Sequence, residues 1–390
     1  MKVINVSSII PLKGLKYEND IILLIQNYLK KQYDFDFTTI KSLPYVNGVL
    51  KYFSKKWYIY FQYLKKGFAN VNNNAIYIYP WLAPPTANIW INYFLLPFNW
   101  IYFRFKLLNK FRKFTQKSDI IVAQNIFPDA IISYWLHRTL KKPYILNIRG
   151  TFNSKILLLP YLNKVFLQAS CLLTHSPSKY KELSYLKKIT LIPHPIDSFF
   201  FFNKKDEFTE LKLISVCRLL KLKNLDWVIK ELALLNEEGY NFQYSIVGDG
   251  PEMRNLKSMT KKFNLEDKII FYGFQDKEVV SSLLKQSNIF IMPSYPETLG
   301  RAFLEAAASD CICIGHRNTG IDGLFKNKES AIFVDRSDFS DELRNLFKNF
   351  SSDYVRNYLI NSRKIVEQLT WENISKKYVD IYYNTAENTV

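Results

Sequence analysis

The chain has 390 residues, of which 48% are hydrophobic and 23% charged. These values exclude a disordered chain, a collagen-like fibre and a disulfide miniprotein, and the length suits roughly two domains, each with a sizeable core. No repeat of about 20–50 residues is visible, which argues against a solenoid. The net charge of +18 is unevenly placed. Residues 1–200 hold 27 Lys and Arg against 8 Asp and Glu, whereas residues 201–390 hold 26 against 27. Codon bias would act on both halves, so the basic first half predicts a surface that meets an anionic partner. The four cysteines (171, 217, 311 and 313) show no zinc spacing and read as reduced, mostly buried thiols of a cytosolic chain.

In chain order, Val3–Ile10 reads as a first strand, followed by a helix from Glu18 to Lys31 and a strand near Phe35–Ile40. Residues 67–103 carry no charge, but Pro80, Pro84, Pro85 and Pro97 interrupt the run, so it is not read as a membrane span. Asn74–Tyr79 and Asp119–Gln124 read as strands, Pro128–Leu140 as a helix and Tyr144–Ile148 as a strand. Cys171–Thr174 and Ile189–Ile192 are short apolar runs bounded by turn residues. The second half repeats the style. Leu211–Val216, Tyr244–Val247, Ile269–Tyr272, Ile289–Met292, Ile312–Ile314 and Ile332–Val334 are expected strands, and Leu225–Asn236, Glu278–Lys285 and Arg301–Ser309 expected helices. Strands alternating with helices predict parallel βαβ units. The expected fold class is therefore α/β, with two doubly wound domains, 1–200 and 201–370, facing a cleft that would hold the ligand.

Two stretches of the basic half combine aromatic and cationic residues: Tyr52–Phe68, and Trp90–Phe114 with Arg104, Lys106, Lys110, Arg112 and Lys113. Such stretches suit either a core-facing helix with solvated lysines or docking at an anionic membrane surface. A nucleic-acid groove is the weaker reading, and no nucleic-acid motif supports it.

The richest stretch runs from Pro293 through Glu297 and Gly300 to Glu305. It follows an expected strand and opens a helix. Gly300 and Arg301 stand at the helix start, where free N–H groups and the positive dipole end favour a phosphate. Glu297 and Glu305 are placed to bracket an extended ligand and accept from sugar hydroxyls. Arg218 and Lys223 lie between a strand and a helix and make a diphosphate clamp, Arg by bidentate contact and Lys as a mobile point charge. Gly248-Asp249-Gly250 ends a further strand as a tight turn and forms a wall of the site. Asp34-Phe35-Asp36 looks like a metal-binding Asp-x-Asp, but it alternates within an expected strand. The histidines at 137, 175, 194 and 316 share no ligand spacing.

These residues resemble retaining glycosyltransferases of family 4, with the GT-B fold. The matching pieces are Arg218 with Lys223, Gly248-Asp249-Gly250-Pro251, Phe271-Tyr272-Gly273, Pro293-Ser294, Glu297 with Glu305, and Thr319-Gly320-Ile321. Thr370-Trp371-Glu372 to Tyr382 looks like the family's final helix, here 371–390, which returns to the first domain. The first half is similar more loosely, at Ser7-Ser8…Pro11…Gly14, Arg149-Gly150 and Ile192–Asp197. Ser309–Ile312 and Gly323 depart from the family pattern.

The resemblance implies that Arg218 and Lys223 neutralise a leaving diphosphate. It also implies that Glu297 orients the donor sugar, Glu305 holds the ribose and the Gly300 amide touches a phosphate. Gly14 would sit near the diphosphate, and Arg149 would face the sugar or the acceptor. Metal-independent transfer with no cofactor is implied, from a nucleotide-diphosphate sugar to a saccharide or lipid-linked acceptor. A peripheral position on the inner face of a bacterial cell membrane, in polysaccharide synthesis, is expected. The alternatives are a nucleotide-sugar epimerase of the same fold and a non-catalytic polyanion binder.

Overall fold

The computed structural model describes residues 1–13, 21–45, 52, 54–71, 74–82, 93–107, 117–150, 158–186, 188–202 and 211–387. Gly14 lies outside them, as do parts of both aromatic and cationic stretches, including Lys110, Arg112 and Lys113. Two units separate. One comprises Met1–Thr174, Leu186–Thr190 and Ser375–Val390; the other comprises His175–Tyr185 and Leu191–Ile374.

The first unit is built on an eight-stranded sheet. Its strands are β1 (Lys2–Val6), β2 (Asp36–Pro44), β3 (Phe68–Val71), β4 (Asn74–Trp81), β5 (Ile120–Ala123), β6 (Tyr144–Ile148), β7 (Cys171–Thr174) and β8 (Ile189–Leu191). They lie in the order β3-β4-β2-β1-β5-β6-β7-β8. The pairings from β2 through β7 are parallel, whereas β3 lies antiparallel on β4. β5 and β6 are buried along their whole length. Strands covered on both faces need continuous apolar runs such as Ile120–Ala123, which is why these segments do not alternate.

The second unit carries a six-stranded sheet in the order β11-β10-β9-β12-β13-β14. Its strands are β9 (Leu211–Val216), β10 (Phe242–Val247), β11 (Ile269–Gly273), β12 (Ile289–Met292), β13 (Ile312–His316) and β14 (Ile332–Val334). All pairings are parallel. Leu225, Val228, Ile229, Leu232 and Leu235 of the helix Leu225–Glu237 are buried in this unit's core. The parallel strand order reverses between β1 and β5 in the first sheet and between β9 and β12 in the second. Doubly wound sheets bind ligands at the carboxyl ends of the strands flanking such a reversal.

Several boundaries differ from those read in the sequence. The first strand ends at Val6 rather than Ile10. Ser7 gives its amide to Ile40, and the chain then leaves the sheet. The helix expected from Pro128 opens earlier, as a wide turn over Ile126–Ala130, and becomes α-helical over Ile131–Leu140. Asp34-Phe35-Asp36 does not alternate within one strand. Asp34 is left-handed (φ 54°), β2 begins at Asp36, and Phe35 is buried between them. The antiparallel β3 lies within the uncharged run, ahead of the strand expected at Asn74.

The last helix spans Trp371–Glu387, and its residues from Ser375 belong to the first unit. There Tyr382 packs on Phe35, with ring centroids 6.0 Å apart.

Candidate active site

The second unit gathers its chemistry at the β9/β12 reversal. The segment after β9 carries Arg218 and a single turn, Lys221–Lys223. It ends at Asn224, whose left-handed φ of 53° lets the helix Leu225–Glu237 begin. The segment after β12 carries Ser294, Glu297 and Gly300. Two bonds tie the segments together: Asn224 Nδ2 donates to the Pro293 carbonyl (2.8 Å), and the Tyr295 amide donates to the Leu222 carbonyl (2.9 Å).

Across this seam Lys223 Nζ meets Glu297 Oε2 at 2.5 Å, with each side chain 14% exposed. Ser294 Oγ donates to the same oxygen at 3.1 Å, and the Thr298 amide donates to Oε1 at 3.1 Å. Thr319 locks the Glu297 backbone from both sides. Its hydroxyl accepts from the Glu297 amide (2.7 Å) and donates to the Glu297 carbonyl (2.6 Å). A carboxylate held at both oxygens and at its own backbone is preorganised and needs no rearrangement to meet a ligand.

Gly300 caps the helix Arg301–Ala308 in the left-handed region (φ 73°). A β-carbon there would approach the Phe303 ring to 2.7 Å, so both conformation and space call for glycine. One turn on, Glu305 lies 3.6 Å from Arg301 Nη2. Burial raises the Glu305 carboxyl above its ordinary value, against the pull of Arg301 and Lys277, while Asp197 adds to the rise. Asp197 itself accepts from Lys277 Nζ (2.9 Å) and Trp371 Nε1 (2.7 Å). Burial opposes its ionisation, yet these donors hold its carboxyl below the usual range. Glu305 therefore sits in a charged group drawn from residues 197, 277 and 301 that its local sequence does not announce.

Gly248-Asp249-Gly250 packs directly against the Arg218 segment. A β-carbon on Gly248 would fall 1.8 Å from the Cys217 carbonyl oxygen, and one on Gly250 would fall 2.3 Å from that of Leu219. The contact is fixed by Cys217 N–H to Val247 O (3.0 Å) and Leu219 N–H to Asp249 O (3.0 Å). Burial pushes the Cys217 thiol up to about 12, so it stays neutral beside the site.

Arg149 follows β6 in the first unit. Its guanidinium is enclosed: Nη2 donates to Gln124 Oε1 at 3.1 Å, and Tyr378 and Tyr382 of the last helix lie beside it. Burial lowers its pKa, while the two tyrosines act to raise it. Arg149 is 9% exposed and, with Gln124, Tyr378 and Tyr382, lines a pocket of the first unit. His175 and His194 stack on one another with ring centroids 4.3 Å apart, an arrangement the spacing of 19 residues concealed. Among the described residues, no group of three or more His, Cys, Asp or Glu side chains is arranged to hold a metal.

Residues 197–364 match the family described as glycosyl transferases group 1. Over that stretch the chain is similar to group 1 glycosyl transferases.

Every residue of the β9/β12 site lies inside that matched span. Among curated relatives, the N-acetyl-alpha-D-glucosaminyl L-malate synthase of Bacillus anthracis is 28% identical over 217 residues, 52% of this chain and 55% of that protein. The putative colanic acid biosynthesis glycosyltransferase WcaL of Escherichia coli is 31% identical over 136 residues, 33% of this chain and 34% of that one. The matches thus span about half the length of the first relative and a third of the second. Among solved structures, Anabaena HepE in complex with UDP and glucose superposes with a TM-score of 0.66, at 13% identity, over 98% of this chain and 100% of that one. A glycosyltransferase from Rickettsia africae gives 0.69 at 16% identity over 99% of each chain. The matched stretch thus sits in a chain of GT-B fold, with two Rossmann-like units.

Proposed function

We propose that this chain is a retaining glycosyltransferase moving a sugar from a nucleotide-diphosphate sugar to a saccharide or lipid-linked acceptor. The observation that carries the reading is the Lys223–Glu297 pair, set beside the Gly300 helix start at the reversal of the second sheet. In this reading Lys223 and Arg218 stabilise the negative charge that grows on the leaving diphosphate, the main electrostatic task when a sugar–phosphate bond breaks. Glu297 orients the sugar, Glu305 accepts from the ribose, and the Gly300 and Arg301 amides meet a phosphate. The cations do the work a metal would do, so transfer proceeds in EDTA. The first unit takes the acceptor.

The test is ligand-induced thermal shift against UDP, GDP, ADP and their sugars in EDTA. A ligand at 100 times its Kd adds about 2.7 kcal/mol. A shift for one nucleotide, lost in Arg218→Ala, supports the reading and names the base. No shift in folded protein turns the reading toward a polyanion binder. Proton NMR of the first product decides retention of the anomeric configuration.

The acceptor class rests on a separate observation. The helix Lys55–Lys66 exposes Lys55, Lys56, Tyr58, Lys65 and Lys66, and Phe94, Phe98, Trp100, Ile101, Arg104 and Phe105 are exposed further along. Aromatic rings beside cations suit the boundary of an anionic bilayer, where a lipid-linked acceptor would be displayed. Among the described residues, no helix is long and apolar enough to cross a membrane.

A further inference from the structure

The first sheet also reverses, between β1 and β5, and there the chain holds two buried charges that the reading above does not use. Lys41, in β2, is fully buried. Its ammonium donates to the carbonyls of Ser8 (2.7 Å) and Ile10 (2.5 Å). Asp129, just beyond β5, is also fully buried. Its Oδ2 accepts from the Ser8 amide (2.9 Å) and the Ser8 hydroxyl (3.2 Å). Both backbone groups of Ser8 are thus taken by charged side chains from opposite sides of the reversal. An apolar pair of similar volume would fill this space at less desolvation cost. The charges define one path for the main chain leaving β1, at the place where doubly wound sheets meet their ligands.

We propose that Lys41 and Asp129 are positioning residues for glycosyl transfer: through Ser8 they fix the segment Ser7–Leu12 where the first unit takes its acceptor. The assignment rests on the transferase reading. Burial raises the Asp129 carboxyl to about 7, against the pull of Ser8 and Lys41. Lys41 is the charged group facing it among the described residues. Acid therefore weakens the hold on Ser8 by removing the charge that Lys41 faces.

Under that reading Arg218, Lys223, Gly300 and Glu305 of the second unit hold the nucleotide, whereas turnover also needs the acceptor side, so the two are separable. The probes are UDP, GDP and ADP by calorimetry, and their glucose, galactose and N-acetylglucosamine esters for turnover. Turnover is read as release of nucleoside diphosphate, with water and octyl β-D-glucoside as acceptors. Lys41→Met and Asp129→Asn in the full chain are expected to bind the nucleotide within twofold of the unaltered chain. They are expected to release it from its sugar at least tenfold more slowly, and to exchange the Ser7–Leu12 amides at least tenfold faster. Turnover by the unaltered chain falls as the pH drops through about 7, and Asp129→Asn lacks that fall. Turnover within twofold of the unaltered chain in a folded variant, or unchanged amide exchange, overturns the positioning role alone. No nucleotide binding, or no turnover of any donor by the unaltered chain, overturns the transferase reading and this role with it. Should Lys41→Met not fold, the shape-preserving Asp129→Asn decides.

Discussion

Lys223 and Glu297 are 74 residues apart in sequence and meet at 2.5 Å, joining the segments that leave β9 and β12. Each partner shields the other in a pocket where both are 14% exposed. Removing one leaves the other charged and mostly dry. Lys223→Met or Glu297→Gln should therefore lower stability by about 3 kcal/mol, since breaking a buried pair is more costly than replacing it whole. The double variant should lose less than the sum, a coupling that urea denaturation of all four proteins measures. Under the proposed function each single variant also loses at least 100-fold in kcat, in line with the loss of one preorganised electrostatic group. A strictly additive double variant would rule out the coupling.

The glycines facing the Arg218 segment give a graded prediction. Gly248→Ala and Gly250→Ala put a methyl group 1.8 Å and 2.3 Å from backbone carbonyl oxygens, which cannot swing aside as a side chain can. Both should cost roughly 3 kcal/mol or more, as overpacking against fixed atoms does, and both should displace Arg218. Gly273→Ala has open space and only the strain of its φ of 67°, about 1 kcal/mol. Thermal melts of the three variants check the order. Equal losses at 250 and 273 would contradict it.

The membrane reading predicts a charge dependence. Each lysine near an anionic surface contributes about 1 kcal/mol. Reversing Lys55, Lys56, Lys65 and Lys66 to Glu should abolish flotation with phosphatidylserine vesicles and leave nucleotide binding intact. Trp100→Ala, at an exposed ring, should weaken flotation on neutral vesicles as well. Flotation unchanged in the fourfold variant would show that this face does not dock.

Much of the β9/β12 site was legible because its pieces are local. A strand of continuous apolar residues, a Pro-Ser turn, a carboxylate and a glycine at a helix start follow one another within 289–305, and the physics of each is short-range. The partners that hold those pieces were not legible. Thr319 locks the Glu297 backbone from 22 residues away, and Asp197 meets Lys277 across 80, distances that only the folded sheet order closes. Ser8 and Asp129 in the first unit, 121 apart, were hidden for the same reason, although Asp129 after an apolar strand carried a weak signal as a lone acid among buried residues. Boundaries failed where side chains rather than turns end an element: β1 stops at Val6 because Asp129 and Lys41 take the backbone of Ser8, which no local residue type reveals.

Asp129 finally separates stability from positioning. Its folded carboxyl stands near 7, above the ordinary 3.8, because burial disfavours the charge more than Ser8 and Lys41 favour it. The folded state thus holds a proton that the unfolded state releases between these values. Its contribution to stability is fully present below about pH 3.8 and is lost as the pH rises through about 7. Asparagine carries no such charge. The midpoint of thermal unfolding of Asp129→Asn, relative to the unaltered chain, should therefore climb from pH 5 to pH 8. The same variant is expected to turn over donor more slowly, so a relative stability that rises with pH together with a loss of turnover at pH 8 is the signature of a positioning charge. A midpoint difference that stays flat from pH 5 to pH 8 would show that the buried carboxyl does not titrate in this window.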